Sequence, residues 1–509
     1  MERFFTVEQI KNEVLNTMQN PALTYEQQTS RLAKISENIM DYPVNENDDF
    51  YNLYELGEIC DLDEGHAPYA PRYILPDYEK LLKEGCEFLR LTPAKNLREA
   101  INNLLIFYHH VPSVTRFPVY IGSLDRLLEP FIEDEKDADE IIRLFLIQLD
   151  RTIDDSFCHA NIGPEETKAG NIILNNLASL QNVTPNLTLL YDKDLTPDSF
   201  AEKAIEASID SANPAFANLN YYQKDFGKNK FGIASCYNAL PVCGGAFTLS
   251  RLRLNKIALA AKSYDDFFEN TMPHAIDTML HFMESKIDFL VNKTQFFETN
   301  FLVKEGFVKK ENFVGLFGVV GLYECVNELA KKLNEDIEFG HSDKADEIGL
   351  RVMDELEKRV KSFKSKYSNI WNHEFMLHSQ VGAANDEGTT AGVRIKIGRE
   401  PMMYEHITQA AKFHKYFPSG VGDHFPFENT AKKNPKAVLD IFKAAFEMGM
   451  RYISSYGSDS DLIRVTGYLV KKSDIEKINR CEQVSYDTVQ YAQDAFNKYE
   501  LLNRKVRNV

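Results

Sequence analysis

Long amphipathic segments alternate with short β-prone ones along the whole chain, and that alternation limits the fold more than any other feature. Helical periodicity runs near residues 96–109, 138–151, 199–210, 263–292, 321–335 and 344–366. Between these lie short β-prone stretches bounded by Gly, Pro and Asn, such as Leu187–Tyr191, Phe231–Ser235 and Val393–Ile397. Helices outweigh strands, so the pattern predicts mixed α/β architecture, a sheet or barrel wrapped by helices. Thr6 and Gln9 form a capping box, and Val7, Ile10, Val14 and Met18 then recur on one face of an opening helix. The acidic run Glu133–Glu140 suits the positive end of a helix dipole. Residues 417–430 are dense in Gly, Pro and Asp and mark the expected boundary between residues 1–430 and a C-terminal module, 431–509. That module opens on a punctuated helix, with Asn434 as cap, Pro435 in the first turn and Gly449 past the end. A short strand at 451–454 and a Gly/Ser/Asp turn at 455–461 lead into the apolar run Leu462–Val470.

Charge and cysteine usage narrow the function. The 509 residues carry 76 acidic against 58 basic side chains, a net charge of −18. Such a surface repels phosphate backbones, which argues against nucleic acid and anionic membranes as partners. The seven cysteines are scattered, odd in number and without a CxxC pair. That is the usage of a reducing, cytoplasmic compartment. The polar start predicts no signal peptide, and no uncharged apolar run reaches membrane-spanning length.

Within Arg464–Val470, which reads as a buried strand, stands one glycine, Gly467. A glycine inside a strand costs about 0.5–1 kcal/mol relative to alanine, so it needs a reason. A bulge or a close backbone approach is one. Radical chemistry is another. An α-carbon that has lost a hydrogen atom flattens to share its electron with the amide and the carbonyl, and only glycine has no Cβ to oppose this. A relay thiol would complete the chemistry, because S–H is weak and sulfur is polarizable. Cys236 ends the β-prone run Phe231–Ser235, before a loop closed by Pro241, Gly244 and Gly245 and the helical segment Leu254–Ala260. Its plain reading is a small buried cysteine at a strand end. Cys243 and Cys158 are the competing positions.

Arg464-Val465-Thr466-Gly467-Tyr468, close to the C-terminal end, resembles the radical-site signature of the glycyl radical enzymes. Phe231–Pro241 with its following helix resembles their cysteine finger. Glu64–Tyr69, Tyr108–Val114, His159–Pro164, Asn186–Thr188 and Phe301–Gly306 resemble the YjjI-type branch, so the likeness runs through nearly the whole chain.

The resemblance implies a ten-stranded α/β barrel wrapped by helices, with Cys and Gly finger loops at its centre. It also implies an oxygen-sensitive enzyme of anaerobic metabolism, lyase- or transferase-like. Gly467 would store the radical, and Cys236 would start hydrogen abstraction on a small organic substrate. No bound cofactor is expected; a radical-SAM activase installs the radical, and the protein is a homodimer. His66, His109, His159, Asn161 and Asn238 are the candidate substrate-binding residues.

Two departures matter. Pyruvate formate-lyase-like members have two adjacent cysteines, whereas Ser235 precedes Cys236 here. Dehydratase-like members place a glutamate two residues after the cysteine, whereas Asn238, which is no base, stands here. An anaerobic ribonucleotide-reductase-like enzyme is the alternative, although the four-cysteine zinc site of that group is missing from the sequence. A non-catalytic binding relative and an acid/base hydrolase are the others. His373 and His378 are five residues apart, off one helix face, so no metal site is expected there.

Overall fold

The computed structural model describes residues 6–37, 48–61, 70–113, 117–153, 155–380, 388–489 and 504–506. Its strands, in chain order, begin with β1 (Ile59–Asp61), β2 (Tyr73–Leu75), β3 (Tyr120–Ser123), β4 (His159–Ile162) and β5 (Asn186–Tyr191). They continue with β6 (Ala215–Asn218), β7 (Phe231–Ala234), β8 (Asn238–Pro241), β9 (Gly244–Arg253) and β10 (Phe313–Val320). The last five are β11 (Met376–Ser379), β12 (Asp423–Phe427), β13 (Tyr452–Gly457), β14 (Leu462–Arg464) and β15 (Leu469–Lys471).

Two sheets form the frame. One runs β12-β13-β6-β5-β4-β3, and the other β1-β9-β10-β11, with β2 also paired to β9. Strands β3 to β6 are mutually parallel, as are β9 to β11 and the pair β12–β13. A parallel pair needs a crossover, and helices supply it, all of them expected from the sequence except Lys168–Leu180. Glu135–Thr152, Lys168–Leu180 and Asp198–Ser211 separate β3 from β4, β4 from β5 and β5 from β6. Met272–Asn292 precedes β10, Leu322–Lys332 and Asp343–Ser362 precede β11, and Pro435–Met448 joins β12 to β13. Strands so covered on both faces are apolar without alternation, as in the wholly buried β10.

This is the expected α/β barrel wrapped by helices, but built as half-barrels of six and five strands rather than one hydrogen-bonded ring of ten. The halves meet through loops and side chains. Ser379 N–H, ending β11, donates to the carbonyl of Gly420 ahead of β12 (3.0 Å). At the other seam, Tyr78, just past β2, donates its hydroxyl to the carbonyl of Tyr120 in β3 (2.6 Å).

Two hairpins fill the interior. Strands β7 and β8 pair antiparallel around the tip Ser235-Cys236-Tyr237, and β14 and β15 pair around Val465–Tyr468. The first is tied to both halves. Ser235 N–H donates to Val119 beside β3 (2.9 Å), while the Tyr237 hydroxyl donates to Ser379 in β11 (2.9 Å).

Several local expectations fail for physical reasons. Leu462–Val470 is a hairpin, not one strand, and Gly467 lies at its tip. The Gly- and Pro-rich stretch 417–430 contains the sheet strand β12. Val393–Ile397 forms no strand, although Val393 and Ile395 are buried. His373 sits in a turn with φ of 62° and His378 in β11, so the pair is not helical at all. The capping box at Thr6 is present, yet Val7 and Met18 are 69% and 59% exposed. A cap and good propensity form a helix whether or not its apolar face is covered. Residues from 431 onward supply β13 to the six-stranded sheet, between β12 and β6. No helix of the described residues is long and apolar enough to cross a membrane.

The C-terminal segment is fastened to this frame by Asp150, a buried carboxylate. It accepts the backbone N–H groups of Val183 and Thr184 (2.8 and 2.9 Å) and the hydroxyl of Tyr486 (2.5 Å). Removing this acceptor leaves the two backbone N–H groups unsatisfied and takes one bond from the Tyr486 hydroxyl. Asp150→Ala is expected to lower stability by about 3 kcal/mol, read from the urea midpoint. Tyr486→Phe, which loses one bond, costs about 1 kcal/mol.

Candidate active site

The tips of the two hairpins touch. A Cβ built on Gly467 would lie 2.3 Å from the Cβ of Cys236, with the Tyr237 ring at 3.1 Å. The α-hydrogen in the position a side chain would take therefore points at Cys236, with no group between. Gly467 does not adopt a left-handed conformation. Close approach, not backbone freedom, is what demands glycine here.

Each tip is held by its backbone. The Asn186 amide, at the start of β5, donates to the carbonyl of Gly467 (2.9 Å), and Arg464 Nη1 lies 3.4 Å from the same oxygen. Arg464 Nε donates to the carbonyl of Ala212 (2.8 Å), and its Nη1 also reaches the Tyr452 hydroxyl (3.4 Å). On the cysteine side, Tyr452 donates to the carbonyl of Cys236 (3.3 Å). Asn161 in β4 grips β7 twice, donating to Ile233 O (3.0 Å) and accepting from Ile233 N–H (2.9 Å).

His159 shows how the electrostatics follow from burial. Its pKa falls to about 3, chiefly by desolvation and then by the Arg464 guanidinium, so the ring is neutral. Nδ1 faces the carbonyl of Ser235 and must be the N–H donor; Nε2 then accepts the hydroxyl of Thr188 at 2.8 Å. Both nitrogens are engaged. Cys236 is 5% exposed, and burial pushes its thiol up to about 12, while the Ser235 hydroxyl, Arg394 and Arg464 pull the other way. The sulfur stays S–H. That suits hydrogen-atom transfer and disfavours thiolate nucleophilic chemistry.

The residues singled out from sequence separate clearly. His159, Asn161 and Asn238 gather at the cysteine hairpin, and Asn238 Oδ1, buried in β8, has no hydrogen-bond partner among the described residues. His109 caps the helix Leu97–Tyr108 with its ring exposed to solvent. His66 lies outside the described residues. Cys158 is buried and Cys243 half-buried with Sγ 3.8 Å from Gly306 O; Cys236 is the cysteine against Gly467. Sequence reading missed Thr188, Tyr237, Arg394 and Tyr452. Thr188 and Tyr237 lie inside segments that carry the resemblance but had no role of their own there, and Arg394 stands in the segment expected to be a strand. Among the described residues, no three His, Cys, Asp or Glu groups are placed to hold a metal ion.

Residues 23–507 match a family model described as glycyl radical enzyme, YjjI-like. An uncharacterised protein of Haemophilus influenzae is 44% identical over 503 residues, covering 97% of each chain. Among solved structures, hydroxyproline dehydratase from Clostridioides difficile, with trans-4-hydroxy-L-proline bound, superposes with a TM-score of 0.67 at 13% identity. It covers 98% of this chain and 88% of its own. The anaerobic ribonucleotide reductase from Thermotoga maritima gives 0.64 at 13%, covering 93% and 89%. At such identities these two structures show a shared fold.

Two outcomes are expected. Gly467→Ala overpacks the contact with Cys236, costs about 1–3 kcal/mol, and speeds hydrogen exchange across 462–471; an unmoved hairpin would contradict the contact. His159 and His378 are both lowered to about 3 by burial, below the ordinary value near 6.5 that they regain on unfolding. The unfolded chain then binds protons that the folded one refuses. Stability is unaffected above pH 6.5 and is lost below it, by about 1.4 kcal/mol per pH unit for each ring. Urea titrations between pH 7 and 5 measure the slope, and His159→Gln should make it shallower.

Proposed function

The chain belongs to the YjjI-like glycyl radical enzymes, and on that premise we propose that Gly467 stores an unpaired electron which Cys236 delivers to a small organic substrate. The observation that supports this above all is the contact itself, with the Gly467 α-carbon facing Cys236 and nothing between.

The steps balance as hydrogen-atom transfers. A radical-SAM activase removes one hydrogen atom from the α-carbon of Gly467, leaving a planar radical shared with the flanking amides. That radical takes the hydrogen atom of the Cys236 thiol: the Cα–H bond reforms, S–H breaks, and the electron moves to sulfur. The thiyl then takes a hydrogen atom from a substrate C–H bond. After rearrangement, the product radical recovers that atom from the thiol; the thiyl left behind takes a hydrogen atom from the Gly467 α-carbon, so S–H reforms, Cα–H breaks and the radical returns to Gly467. Neither residue is changed by a turnover.

The surroundings support each role. A protonated thiol has the atom to give, and burial of both tips keeps water and oxygen from the radical. Asn186 and Arg464 hold the Gly467 carbonyl, so the plane over which the electron spreads is fixed. His159, which bridges the cysteine hairpin to Thr188 in β5, and Asn161, bonded twice to that hairpin, act as positioning residues. The unpartnered Oδ1 of Asn238, two residues from the thiol, suits a substrate hydroxyl or amine. Ser235 and Asn238 together argue against acyl storage on a second thiol and against a glutamate base. The activase must reach Gly467, so the hairpin has to leave the barrel. The turn 458–461 is the hinge for this; the turn expected at 455–461 is shorter, because β13 extends to Gly457.

The test is anaerobic activation followed by electron paramagnetic resonance. The expected spectrum is an organic radical split by one α-hydrogen. Cys236→Ser should retain that signal and convert no member of a panel of small hydroxylated and amino-bearing substrates. Air should then cut the activated chain at 467. A signal without α-hydrogen splitting, or turnover surviving in Cys236→Ser, overturns the assignment.

A further inference from the structure

Beside the glycyl hairpin, on the side occupied by Thr466, lies a cavity of about 90 Å³ that does not include Cys236. At roughly 10–15 Å³ per water-sized group it has room for about six to nine such groups. Its walls come from the segment after β11, the start of β12, the helix after β10 and Arg504 near the C-terminus.

The wall polarity is lopsided once the internal bonds are assigned. Both oxygens of Asp423 are taken, by His406 Nε2 (3.2 Å) and His414 Nε2 (3.0 Å). Those of Glu324 accept the N–H and hydroxyl of Thr390 (2.9 and 2.5 Å), and Glu400 accepts Gly398 N–H (2.7 Å) and faces Arg504 (3.9 Å). No cavity carboxylate is left without a partner. The donors are another matter. Arg394 spends Nε and Nη2 on the carbonyls of Gly422 (2.6 Å) and Thr466 (3.5 Å), and among the described residues it has no carboxylate partner. Lys396 stands exposed at the mouth. His424 Nε2 and Thr466 Oγ1, both on residues only 4% exposed, have no hydrogen-bond partner in the described structure.

Buried polar atoms without partners are uncommon, and two of them on one cavity, beside a guanidinium whose bonds go to carbonyls, suit an acceptor. His424 Nδ1 bonds the hydroxyl of Ser454, which can donate to it and leave Nε2 as an N–H donor. We propose that this cavity binds a small oxyanion, a carboxylate or a phosphate, held by Arg394, His424 and Thr466 and screened at its mouth by Lys396. The ligand bonds the residue next to Gly467 and so holds the glycyl hairpin in the barrel. It does not touch the thiol. The site goes beyond the radical reading and is testable without any radical.

The experiment is calorimetric titration of the full-length, unactivated chain with sodium phosphate, acetate and lactate, against sodium chloride at matched ionic strength. Saturable binding of phosphate alone, or of carboxylates alone, supports the site and identifies its chemistry. Thr466→Val, nearly isosteric, should weaken binding on the order of tenfold, the loss of one bond to a charged group. Lys396→Ala, at an exposed position that cannot unfold the chain, should weaken it several-fold. Cys236→Ser should bind as the wild type does. Hydrogen exchange across 462–471 should slow when the site fills. The proposal is overturned if no anion saturates, if chloride competes equally, or if Thr466→Val binds unchanged.

Discussion

Everything at the centre of this molecule depends on one contact, the α-carbon of Gly467 against Cys236. A side chain at 467 would put a carbon 2.3 Å from the cysteine Cβ, far inside van der Waals distance, so only glycine lets the hairpins meet. The same missing Cβ that permits the approach also permits a planar α-carbon. Sterics and chemistry therefore ask for the same residue. The half-barrels can be read as the means of holding two hairpin tips at that separation.

The means is unusual in being polar. Asn161, Asn186, His159, Tyr452 and Arg464 are buried, and each holds hairpin backbone, with His159 and Arg464 also bonding the hydroxyls of Thr188 and Tyr452. Directional bonds fix a loop where apolar packing alone would leave it free to slide. Burial keeps the imidazole neutral and the thiol protonated, so the interior holds few charges that could draw water in. Besides Arg394, Arg464 is the exception. Its guanidinium is 1% exposed, with Nη2 unpartnered, and it bonds carbonyls and a phenol. A cation there favours electron density on the Gly467 carbonyl.

Arg394 links this centre to the neighbouring cavity. Its guanidinium lies over the Tyr237 ring at 5.3 Å, reaches the Thr466 carbonyl and lines the cavity wall. The glycyl tip is thus bounded by the cysteine on one side and by a site for small anions on the other. Occupancy of the second can bear on the mobility that the first requires.

The sequence alone determined what is local. Crossover helices were legible in their 3.6-residue period, and the helix Pro435–Met448 in its cap, proline and terminal glycine, because those signals act within a few residues. Gly467 and Cys236 were singled out from residue type and the family signature, and what the structure adds is that their hairpin tips are in contact. Tertiary structure decided the rest. That residues 462–470 turn back as a hairpin depends on what the tip meets 231 positions away (Cys236 to Gly467), which no local pattern encodes. His159 and Asn161 were visible as candidates, but their work of bracing backbone follows from which atoms burial places beside them. Thr466 stood in the signature without a role of its own, and Arg394 and His424 carried no signal at all, for the same reason. A polar atom declares itself only when the fold has removed its water and supplied no partner.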